Sequence, residues 1–88
     1  MEQSNKDMVL FCLDFVKNNV SVQSQNVQCR NWLKMAMDEI GKSGFSSSDF
    51  VISNLMEVDG YFSGQNARAT VNTVYDKIDL VKTLIKDI

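Results

Sequence analysis

The stretch NARATVNTVYDKIDLVKTLIKDI, Asn66 to Ile88, carries apolar side chains at Ala67, Val71, Val74, Ile78, Val81, Ile85 and Ile88. The steps alternate between four and three, the spacing that keeps side chains on one stripe of an α-helix and scatters them over both faces of a strand. The spacing predicts a helix from about Asn66 to the end. Its stripe either packs along the chain's own bundle or, being rich in β-branched residues and ending on Ile88, forms a homodimer through the C-terminal helix.

Working outward from that helix, Val51, Leu55 and Val58 form a second stripe at the same kind of spacing. Ser46 is placed to accept from the amide of Asp49, Asp49 favours the positive end of the helix dipole, and Phe45 with Phe50 is placed as a hydrophobic staple. Gly60 is the expected end, since glycine readily takes the left-handed conformation that terminates helices. Further upstream, Cys29, Leu33, Ala36 and Ile40 recur at four, three and four, in a helix starting near Ser24 or Asn26 and stopping at Gly41. The first segment, about Asn5 to Asn19, is apolar around most of its circumference, as a central helix is. Ser4 and Asp7 resemble a capping arrangement there, although Val9 to Leu13 also fits a buried strand. No proline, internal repeat or linker interrupts the chain. An all-α fold follows, a compact bundle of about four helices in a single domain spanning residues 1–88.

Eighty-eight residues support one small core, so most large apolar side chains are needed for packing. A hydrophobic fraction of 44% with 23% charged residues belongs to a folding chain and not to a disordered one. No apolar run reaches the length of a membrane span, and Met1 to Lys6 lacks the basic, then apolar start of a secretory signal, so a cytoplasmic location is expected. Asn19-Val20-Ser21 matches a glycosylation sequon, which is incidental in that setting. Cys12 and Cys29 both fall within apolar stripes, where a thiol acts as a small hydrophobe.

Several chemistries lack their residues. There is no histidine, which removes the commonest proton shuttle and metal ligand. The two cysteines make no zinc motif, and the acids lack the alternation of a calcium loop. Gly41-Lys42-Ser43 matches the end of a phosphate-binding loop, but that loop needs a further glycine where Ala36 stands and must follow a strand. Neither thiol has a neighbouring base to activate it. No catalytic residue, cofactor or metal is expected, and the chain reads as a binding protein.

Net charge is −2, which gives no general attraction for nucleic acid. The charge is uneven. Phe15 to Met37 holds Lys17, Arg30 and Lys34 with no acid, whereas Asp38 to Asp59 holds Asp38, Glu39, Asp49, Glu57 and Asp59 against Lys42 alone.

Two binding readings follow. In the first, a protein partner docks on Tyr61 and Phe62, adjacent aromatics between Gly60 and Gly64, with Asp49 and Glu57 steering a basic surface. Phe62 also continues the stripe of Val51, Leu55 and Val58 and fits the core equally well. Small acidic helical proteins acting as inhibitors, adaptors or immunity-type proteins are the class expected. In the second reading, DNA contacts the start of the last helix through Gln65, Arg68 and Asn72. FSSSDFVISNL followed by ATVNTVYDKI resembles the helix pair of winged-helix regulators, which implies a helix-turn-helix fold for that part of the chain. Asp59 to Gln65 is a long connection for the tight form of that turn, Asp49 repels phosphate, and a single arginine supplies little nonspecific affinity.

Overall fold

The computed structural model describes residues 1–88 and contains four α-helices: α1 (Gln3–Asn19), α2 (Asn26–Ser43), α3 (Ser48–Ser63) and α4 (Val71–Lys86). A single 3-10 turn, Gln23–Gln25, leads into α2. Val9 to Leu13 is helical, which removes the strand alternative.

Each helix packs on its neighbours in sequence, and α4 closes the ring against α1. Ion pairs give the directions. Lys17 meets Asp79 and Lys82 meets Asp14, so advancing along α1 means retreating along α4. Arg30 near the start of α2 meets Asp59 near the end of α3, which makes that pair antiparallel too. Short connections favour this up-and-down arrangement. The particle measures 33 × 20 × 18 Å. No helix is long and apolar enough to cross a membrane.

The stripes meet in one hydrophobic cluster. Val9, Cys12, Leu13 and Val16 of α1 face Cys29, Leu33, Ala36 and Ile40 of α2, with Val51, Leu55 and Val58 of α3 and Val74, Ile78, Val81 and Ile85 of α4, all fully buried. Burying each large aliphatic side chain stabilises by about 1.5–3 kcal/mol relative to leaving it in water. The central part of the C-terminal stripe is thus filled from inside the chain, with Ile88 partly exposed at its end and Ala67 outside the helix.

Helix ends depart from the sequence expectation, each for a local reason. The first helix starts at Gln3 and not at Asn5. Glu2 occupies its cap position without a side-chain bond, and Asp7 accepts from Gln3 Nε2 at 2.9 Å in place of the Ser4 arrangement. Gly41 does not stop α2. The helix runs three residues further and ends where Gly44 takes φ +63°, while Ser43 Oγ donates to the Ile40 carbonyl at 2.6 Å across the last turn. The Ser46 cap is not formed: α3 begins at Ser48, with Ser47 at the cap position, and a backbone bond from the Ser48 amide to the Phe45 carbonyl at 3.0 Å makes the entry turn. Phe50 is 55% exposed, so no staple closes over it. Gly60 lies inside α3, which continues for another turn and seats Phe62 in the core before Gly64 ends it at φ +80°.

The last helix begins five residues later than its apolar spacing suggests. Thr70 Oγ1 accepts from the Thr73 amide at 3.3 Å while Thr73 Oγ1 accepts from the Thr70 amide at 3.1 Å. This reciprocal cap satisfies two otherwise free backbone donors and sets the start at Val71. Residues 65–69 instead form a link that folds back on α3, with the Asn66 amide donating to the Gly60 carbonyl at 3.1 Å.

Candidate functional site

The residues singled out in the sequence are dispersed by the fold. Tyr61 and Phe62 are in the last turns of α3, not in a glycine-bounded loop. Their rings touch edge-on, with centroids 5.2 Å apart, and Phe62 is buried while Tyr61 is half-buried. Asp49 is exposed on the first turn of the same helix, about three turns from Tyr61. Gln65 and Arg68 are exposed on the link, and Asn72 is exposed on the first turn of α4. Only Asn72 stands on the helix start, because α4 begins at Val71 and leaves Gln65 and Arg68 on the link before it.

Two of the seven do converge. Glu57 and Gln65 line a shallow cleft of about 550 Å³ with Ser53, Met56, Gly60 and Asn66, where the link lies across the outer face of α3. Gly60 permits that closeness, since a Cβ at this position would stand 2.9 Å from Asn66 Cβ. The charge of Glu57 is already engaged by Lys77, which also donates to Asn54 Oδ1 at 3.2 Å. Tyr61 borders a separate cleft of about 400 Å³ with Val20, Ser21, Gln23 and Asn26 at the other side of the bundle end.

Both thiols lie in the core as free cysteines, and burial pushes each thiol up from its ordinary value. That is the opposite of what activates a nucleophile. Nowhere do three cysteine, aspartate or glutamate side chains converge on a position able to hold a metal ion.

A more distinctive surface lies on the opposite hairpin. Three of the four helix seams are closed on the outside by ion pairs: Arg30 with Asp59 between α2 and α3, Lys77 with Glu57 between α3 and α4, and Lys17 with Asp79 plus Lys82 with Asp14 between α4 and α1. The Arg30 pair is two-pronged, at 2.9 and 3.2 Å, and the bond to Asp59 raises the arginine's pKa further. Lys17 is likewise held charged by its bond to Asp79.

The seam between α1 and α2 has no ion pair. Trp32 stands between Phe11 and Phe15, at ring-centroid distances of 5.5 and 5.3 Å. Phe15 and Trp32 lean on the core, whereas Phe11 rests on the indole and remains 61% exposed. Met35, one turn beyond Trp32 on the same side of α2, is 48% exposed.

Sequence reasoning passed over this cluster, yet a signal was present. Once Val9, Cys12, Leu13 and Val16 are assigned to the core, Phe11 falls off their stripe. Trp32 and Met35 each precede a core position, Leu33 and Ala36, by one residue, which turns them toward the flank of the helix.

Comparison with family models, with curated proteins and with solved structures yields no match.

Proposed function

We propose that this four-helix domain is a non-enzymatic protein-interaction module that engages its partner through the outer face of α1 and α2. The observation that supports this is the ring cluster of Phe11, Phe15 and Trp32, with Phe11 mostly in water on the one seam that ion pairs leave open. Rings held by one another lose little conformational freedom on binding, and aromatic anchors carry a large share of interface energy. Val27, Phe50, Met56 and Leu80 are also exposed, but none of them belongs to a ring cluster, and no buried side-chain nitrogen or oxygen is left without a partner. The absence of histidine and the protonated, buried thiols favour binding over catalysis.

Affinity capture from the source cell tests the reading when the wild type is compared with Phe11→Ala, Tyr61→Ala and an Arg68→Ala/Asn72→Ala double variant. Loss of one protein partner with Phe11→Ala alone is the expected result. Capture of nucleic acid that depends on Arg68 and Asn72 and disappears with added salt would favour the DNA-binding alternative. Dependence on Tyr61 would move the site to the end of α3.

A further inference from the structure

The α1–α2 face has a direction built into it, and the direction describes its partner. Asp7 precedes Phe11 by four residues and Glu39 follows Met35 by four, so each carboxylate stands one helical turn beyond the apolar patch. Because the two helices are joined by a short connection and run antiparallel, both turns fall at the same end. Neither carboxylate belongs to an ion pair, and Asp7 accepts only from Gln3. Glu2 adds a third acid at that end, and Lys42, the cation of that end of α2, lies almost a turn past Glu39. At the opposite end the exposed side chains, Asn18 and Gln28 together with Ser21, Val22, Gln23, Ser24 and Val27 of the connection and the start of α2, carry no charge. The two cations of α1 do not offset the acids, since Lys17 is bound to Asp79 on the α4 side and Lys6 follows that same side one position before Asp7.

We infer that the occupant of this face is an amphipathic helix of a partner protein that lays apolar side chains along the Phe11–Trp32–Met35 patch and carries lysine or arginine beyond one end, against Asp7 and Glu39. The patch and its flanks, from Asp7 to Asn18, extend about 17 Å, which corresponds to roughly three turns of such a helix. Two antiparallel helices present a seam along which a third helix lies lengthwise, and apolar anchors at i, i+4 and i+7 meet it as one stripe. The acidic end supplies orientation and association rate, while the rings supply most of the affinity. This inference rests on the α1–α2 face being the docking surface.

The test is a selection from a displayed library built on a fixed helical scaffold, run against the wild type, Phe11→Ala and an Asp7→Asn/Glu39→Gln double variant. The wild type is expected to enrich apolar residues at helical spacing with a lysine or arginine within a turn of one end. A nitroxide at that basic end should broaden the backbone amide signals around Asp7 and Glu39 and spare those around Asn18 and Gln28. The double variant should bind the selected peptides roughly two- to tenfold more weakly, with a flatter salt dependence. Enrichment that requires Phe11 but shows no charge preference, or prefers acids, overturns the inference and leaves the docking face standing. Enrichment that survives Phe11→Ala, or none on the wild type, overturns both. Sedimentation completes the test: a wild-type dimer that Phe11→Ala dissociates would make the occupant a second copy of this chain and also overturn the inference.

Discussion

The two hairpins of the bundle finish their outer surfaces in opposite ways. Between α3 and α4, Lys77 bridges Glu57 and the amide oxygen of Asn54, the link folds onto Gly60, and Thr70 with Thr73 closes the helix start. Between α1 and α2 the same depth is occupied by Phe11, Phe15 and Trp32, with no charge crossing the seam. Both hairpins bury equally regular stripes, so the difference is not needed for the core. A seam closed by polar groups is content in water. A seam closed by a half-exposed ring cluster gains from being covered, which is why the α1–α2 side carries the functional reading.

The largest effect should come from the core that both hairpins share. Leu13→Ala should cost about 2–5 kcal/mol in the denaturant midpoint, from lost burial plus the cavity left behind. A loss below that range would mean the two hairpins are less tightly joined than their packing implies. Next, the α3–α4 side is sharpened by its folded-back link. Gly60→Ala should destabilise by about 1–3 kcal/mol, because the new methyl collides with Asn66 Cβ, whereas Gly41→Ala, with 3.7 Å of room to Ile52, should stabilise by about 0.5–1 kcal/mol. Equal effects at the two glycines would remove the link from the description of that hairpin.

The helix caps come next in size. Thr70→Ala should cost about 1 kcal/mol through loss of the reciprocal cap, while Ser46→Ala, outside any cap bond, should leave the midpoint unchanged. The smallest effect belongs to the charged seams. Lys82→Met should cost no more than about 1 kcal/mol, and the loss should shrink in high salt, since its partner Asp14 is half-exposed. A large, salt-independent loss would mean that ion pairs, and not the core, hold α4 against α1.

The stripes of the last three helices were legible because burial imposes a period, and the positions Cys29, Leu33, Ala36 and Ile40 or Val74, Ile78, Val81 and Ile85 have no other economical reading, whereas the first segment is apolar around most of its circumference and Val9 to Leu13 also fitted a strand. Helix ends were less legible. Gly41 and Gly60 are permitted terminators by local conformation, but whether a helix stops there is decided by whether the next turn finds something to pack on, as Phe62 does. The start of α4 depended on a threonine pair whose strength exceeds the helical preference of Ala67 to Ala69. The candidate site was the least legible. Tyr61 and Phe62 stand out as neighbours in sequence, while Phe11, Phe15 and Trp32 become neighbours only when α1 and α2 lie antiparallel.

Trp32 is the single tryptophan of the chain and sits at the centre of the proposed docking face, so its fluorescence reports on that face alone. Titration with the captured partner is the most direct test. The emission should shift to the blue and become protected from an added neutral quencher as binding saturates, because the partner replaces water over the indole and Phe11. Saturable binding that leaves both the emission and the quenching of Trp32 unchanged would contradict the account.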